Sequence, residues 1–207
     1  MLEYATAAFQ TFQGIGVLLP ATAVVALIVF AAREGLESRR RRSADRRKKA
    51  AIKHFIGREL ELLQGAIRSF RHALSAFRNV DEGIRTYVKV YTASSGGLRY
   101  ESWDKGDDRK SQRSGGAIAD VVDKFDARFM LEVATLDSDL YKALEPAVDE
   151  IATLKHVRNG FIEYAEDEDF RDGFTDYATR ELDDIEASFK ALYKYCTGQD
   201  GVPARLR

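Results

Sequence analysis

Three histidines, one cysteine and 33 carboxylates are the side chains of this 207-residue chain that could bind a metal or move a proton. Their spacing argues against both. A di-iron site on a helical bundle needs Glu-x-x-His pairs, and the residues three before His54, His72 and His156 are Ala51, Ser69 and Thr153. The residues four after them are Arg58, Ala76 and Gly160, so the His-x-x-x-His geometry of zinc proteases is absent too. Cys196 is alone, which rules out an intrachain disulfide and a thiolate zinc site. The acidic stretch from Asp167 has Arg171 at position five, Gly173 at seven and Ala178 at twelve, where a calcium loop needs oxygen ligands and a closing Glu. Neither a Gly-x-Ser-x-Gly elbow nor a phosphate-binding Gly-rich loop occurs. The expectation is a chain with no metal and no cofactor.

One segment keeps a catalytic pattern in view. Arg158-Asn159 lies late in the chain, directly before the final helical stripe, and resembles the Arg-Asn start of the HEPN family motif, an Arg separated by four to six residues from a His. The resemblance covers about 45 residues. It implies a small helical bundle in which Arg and His of paired protomers form a ribonuclease site, His moving protons and Arg holding phosphate. In this chain Glu163, Tyr164 and Ala165 stand where the His would fall. The catalytic set implied by the resemblance is therefore Arg158, Asn159 and Tyr164, without the base. From Glu163 to Glu186 there are eleven acidic and two basic residues, a face that weighs against RNA as a partner.

The elements that would position these residues follow from charge and periodicity. Residues 1–49 carry nine basic and four acidic side chains, and residues 50–207 carry 23 and 29. No charge occurs between Glu3 and Arg33, and Gly14–Ala32 is nineteen almost wholly apolar residues. At about 1.5 Å per residue a helix of that length reaches roughly 28 Å, so residues 1–32 are expected to hold a transmembrane helix. The basic residues Arg39, Arg40, Arg41, Arg42, Arg46, Arg47, Lys48 and Lys49 form a juxtamembrane segment over 33–49. By the positive-inside bias they place the C-terminal part in the cytoplasm at the inner membrane with the N-terminus outside, and they are candidates to hold anionic lipid.

Residues 50–197 are expected to form a bundle of four or five helices, with 198–207 as a tail. Ile56, Leu60, Leu63, Ile67, Phe70, Leu74 and Phe77 alternate four and three apart, and the pattern resumes at Ile84, Val88 and Tyr91. This reads as a very long first helix, either a coiled-coil stalk or the longest member of the bundle, and the aromatic seam favours the bundle. Gly65 and Gly83 each cost a helix about 1 kcal/mol relative to Ala, so packing must hold it. Residues 94–116 contain five Gly and five Ser and read as a flexible loop that protease should cut first. Its Tyr100 and Trp103 are candidate partner-binding residues, and a faint hairpin signal lies at Lys105 and Gly106. A second stripe runs from Ile118 through Val122, Phe125 and Phe129 to Leu144; a kink or restart is expected at Pro146 or at the cap-forming Asp137 and Ser138. A last stripe from Phe174 to Cys196 stops at Gly198.

The sequence thus predicts an all-α, single-pass membrane protein whose cytoplasmic bundle serves as a protein-interaction or assembly module, with lipid and a protein or a second copy as partners. The alternative implied by the resemblance is a membrane-tethered HEPN-like ribonuclease, or a degenerate relative, in stress or phage defence.

Overall fold

The computed structural model describes residues 21–78, 85–105 and 110–205. Its elements are α1 (Ala21–Phe77), β1 (Arg85–Thr92), β2 (Leu98–Lys105), β3 (Lys110–Ile118), α2 (Ala127–Leu136), α3 (Ser138–Tyr164) and α4 (Glu168–Thr197). The chain divides into two units, Met1–Lys48 and Lys49–Arg207.

In the second unit the apolar stripes form the core. Ile56, Leu60, Ile67, Phe70 and Phe77 of α1 are fully buried, as are Leu140, Leu144, Ile151, Leu154, Val157 and Phe161 of α3 and Ala178, Leu182, Ile185 and Phe189 of α4. The Phe161 ring stands 5.4 Å from Phe70 and 5.3 Å from Phe77, tying α3 to α1 through edge and tilted ring contacts. Asp137 separates α2 from α3: its carboxylate accepts from Leu140 N at 3.2 Å, and its own N–H donates to Val133 O at 2.8 Å. The restart therefore falls at Asp137, and α3 runs on through Pro146 without one. Asp167 caps α4 by accepting from Asp169 N and Phe170 N. Gly198 ends α4 in the left-handed region at φ 76°, with its N–H donating to Lys194 O.

Two expectations are overturned. The unit is not all-α, because β1, β2 and β3 form an antiparallel meander in the order β1-β2-β3. The stripe read through Val88 and Tyr91 as helix is strand. Thr86 and Val88 are buried while Tyr87 and Lys89 turn to the other face, the period of two that a half-covered sheet imposes. Residues 94–116 are likewise not a loop. Ser94–Gly97 make the β1–β2 turn, in which Gly96 N–H donates to Ala93 O at 2.8 Å and Gly96 takes φ 81°. Both β2 and β3 lie in the same stretch, joined where the hairpin signal stood; residues 106–109 and Gly83 lie outside the described residues. Ile118 ends β3, and the helix expected from it begins only at Ala127.

The membrane span is the second correction. Its first part, Gly14–Pro20, lies outside the described residues. Ala21–Ala32 leads α1 with twelve uncharged residues before Arg33, about 18 Å of helix against a hydrocarbon core of about 30 Å. No helix among the described residues is long and apolar enough to cross a membrane. The single-pass anchor, the inner-membrane location and the outside-to-cytoplasm topology derived from it are accordingly not supported.

Candidate functional site

Arg158 projects from α3 with its side chain 21% exposed and forms an ion pair with Asp120. Lys155, one turn earlier, sits 3.3 Å from Asp123. Arg158, Lys155 and Asp120 line, with Asn159, Val121 and Val122, an open cavity of about 340 Å³. A phosphate entering it would have to displace Asp120 from the guanidinium. Tyr164 is elsewhere: its ring packs 5.4 Å from Phe174 and 6.5 Å from Phe170, and it lines a second cavity with His156 and Tyr177. His156 stacks edge-on against Tyr177 at 6.2 Å. Burial and the neighbouring Glu181 push the Tyr177 hydroxyl above its ordinary range, so it holds its proton. The residues named by the family resemblance are thus distributed over two cavities, and around Arg158 the carboxylates of Asp120 and Asp123 are paired with Arg158 and Lys155.

The thiol of Cys196 is half-buried, and burial pushes its pKa up to about 11 despite Lys53 nearby. At neutral pH it is a thiol rather than a nucleophilic thiolate. Among the described residues no group of three His, Cys, Asp or Glu side chains is placed to hold a metal ion.

Of the two candidate partner-binding aromatics, Tyr100 is 1% exposed and belongs to the core, its ring 6.1 Å from Phe77 and 6.4 Å from His72. Trp103 remains half-buried on β2 opposite Tyr87. The two rings line a cavity of about 310 Å³ with Val88 and Lys89 of β1, and with Glu166, Glu168 and the buried Arg171 from the corner between α3 and α4. Sequence reading missed this cavity, whose only local signal is the β-branched and aromatic content of β1.

In the Met1–Lys48 unit Arg39–Arg42 and Arg46–Lys48 are exposed along α1, and Arg41 pairs with Glu37 at 2.5 Å. Lys49 belongs to the other unit, where its Nζ lies 2.6 Å from Asp137 Oδ2. It therefore serves the fold rather than an anionic surface. N-terminal to the basic run, Val24, Val25, Leu27, Ile28, Val29, Phe30 and Leu36 are between 37% and 66% exposed.

Comparison of the chain with protein-family models, curated proteins and solved structures finds no match.

Proposed function

We propose that this chain is an assembly module that joins copies of itself through α1 and carries out no chemical step of its own. The observation that carries the reading is the exposed run of seven large apolar side chains between Val24 and Leu36. Single exposed apolar residues are ordinary, but a contiguous cluster of this kind marks an interaction surface. The charge pattern selects how a second copy meets it. A parallel pair would set the basic residues Arg33 and Arg39–Lys49 against the same run of the other copy. An antiparallel pair centred near Ile28 keeps Val24–Phe30 in contact and sends the two basic runs to opposite ends. The pairing of Arg158 with Asp120, and the separation of Arg158 from Tyr164, support assembly over RNA cleavage.

Sedimentation of the full-length chain beside the triple variant Leu27→Ser, Ile28→Ser, Phe30→Ser tests this. The wild type is expected to form an assembly that loses mass in the variant; equal masses would overturn it. Incubation of the full-length chain with RNA should leave the RNA intact. Cleavage that disappears in Arg158→Ala would replace this reading with the ribonuclease one.

A further inference from the structure

On α3, His156, Gly160 and Tyr164 follow one another four residues apart and so share a stripe of the helix. Asp169, Gly173 and Tyr177 do the same on α4, with Phe170 and Phe174 on the stripe beside them. Gly160 lets the two stripes close, since only a bare backbone there leaves room for the Phe174 ring. Between them lies an open cavity of about 360 Å³ lined by His156, Tyr164, Asp169, Phe170, Phe174 and Tyr177. Phe170 and Phe174 stand 6.5 and 5.4 Å from Tyr164, and Tyr177 is braced edge-on by His156 at 6.2 Å. Phe174 is buried, but Phe170 keeps 63% of its surface exposed at the rim.

Gly173 lines the same cavity. A glycine inside a helix costs about 1 kcal/mol relative to Ala. At Gly57, Gly65 and Gly160 a Cβ would meet another part of the chain at 3.2 Å or less, so close packing accounts for them. At Gly173 a Cβ would meet nothing within 4 Å. Packing gives no reason for this glycine, and its effect is to widen the cavity.

The electrostatics favour a cation. α3 ends at Tyr164 with no basic residue in its last turn, which leaves the negative end of its dipole uncompensated beside the rings. The positive end of α4 is offset by the Asp167 cap and by Glu168 and Asp169 in its first turn. Aromatic faces attract cations, and they distinguish between them. A primary ammonium is strongly hydrated and carries N–H groups that rings satisfy poorly, whereas a quaternary nitrogen has none to satisfy.

We propose that this cavity binds a small quaternary ammonium compound, its trimethylammonium head among Tyr164, Phe170, Phe174 and Tyr177 and its charge toward Asp169. The space lies at the low end of small-ligand sites, about 300–1,000 Å³, which suits such a head with a short arm. A phosphate or carboxylate on that arm would meet Asp169 and the acidic run from Glu163 to Glu186. Choline therefore fits, and phosphocholine, glycine betaine and a phosphatidylcholine surface do not. The site belongs wholly to the Lys49–Arg207 unit, so it goes beyond assembly through the exposed apolar run of α1 and does not depend on it.

Calorimetric titration of the full-length chain tests this. Choline should bind roughly three- to thirtyfold more tightly than 3,3-dimethylbutanol, which has the same shape without the charge. Phosphocholine and glycine betaine should bind more weakly than choline, and phosphatidylcholine vesicles should not compete with it. Phe170→Leu keeps an apolar side chain but loses the ring, and should weaken choline by a similar factor; Phe170→Trp should hold or improve it. Gly173→Leu places a side chain in the cavity while improving helix propensity. It should abolish binding and leave the circular dichroism spectrum and thermal midpoint intact or improved, which separates loss of the site from loss of the fold. No binding at millimolar choline, equal binding of 3,3-dimethylbutanol or phosphocholine, or binding that survives Gly173→Leu would each overturn the proposal.

Discussion

Asp137 shows how much one side chain can settle. Its carboxylate caps α3 and meets Lys49 of α1 at 2.6 Å while its backbone N–H ends α2, so three elements meet at one residue. Burial alone would raise its pKa, but Lys49 and the Leu140 N–H outweigh that and hold the carboxyl below its ordinary range. A carboxyl depressed in the folded state lends stability above its unfolded pKa, about 3.9, and loses it as the pH falls through the folded value. Asp137→Ala is expected to cost about 1 kcal/mol for the cap, together with the ion pair. Asp137→Asn keeps an oxygen for Leu140 and removes only the charge, so its penalty at neutral pH should be smaller and should vanish in acid below the folded pKa. Urea midpoints of the three proteins across pH measure this; a constant gap between Asp and Asn would show that Lys49 contributes nothing. The cap was legible because Asp and Ser side chains compete with helix interiors for backbone N–H groups. The partner Lys49 was not, since 88 residues separate it from Asp137 and its neighbours in sequence are an undivided basic run.

At the scale of elements, the helical stripes of the core could be read because 3.6-residue periodicity is a property of the chain alone. The residues at four and three spacing from Ile56 to Phe77 are all buried in α1. Extending that pattern to Val88 and Tyr91 failed because two periods share positions: in an eight-residue segment, period two and period three-and-a-half coincide at some residues, and composition has to arbitrate. Thr, Tyr and Val dominate β1 and favour strand. The candidate site was legible at its cations and not at their surroundings, since Asp120 lies 38 residues from Arg158. Glycines carry information of the same hidden kind. Gly65, expected only to weaken α1, stands where a Cβ would lie 2.0 Å from Arg205 O, so its bare backbone admits the C-terminal tail, whose Arg205 N–H donates to Glu61 O at 3.0 Å. Gly160 does the same for the packing of α3 on α4: a Cβ there would stand 2.2 Å from Phe174 Cε2, and that ring is itself wedged against Phe161 and Tyr164. Gly160→Ala should gain about 1 kcal/mol in helix propensity and lose more, about 1–3 kcal/mol, to overpacking. The midpoint of denaturant unfolding should therefore fall; a rise would mean that the Phe174 ring moves aside without loss.

For the whole molecule, charge and burial change together at the boundary between the two units. Arg39–Arg42 and Arg46–Lys48 are exposed on α1 in the Met1–Lys48 unit, while Ile52 and Ile56 already belong to the core of the Lys49–Arg207 unit. A helical segment with no buried side chains opens locally at little cost, whereas strands and helices that share a core open only with it. Trypsin cleaves after Lys and Arg, and both kinds of surroundings contain such residues. Lys89 and Arg99 are exposed side chains, yet their backbones lie in β1 and in the doubly paired β2. Accessibility of the side chain alone would have Lys89, Arg99 and the basic run cut together, and a flexible 94–116 segment would place Arg99 first. Backbone pairing instead predicts early cuts between Arg39 and Lys48, giving a resistant fragment that begins near Lys49 and keeps Lys89 and Arg99 intact. Mass spectrometry of a native digestion time course decides between them: cleavage at Arg99 as fast as within the basic run would mean that the sheet does not protect its central strand.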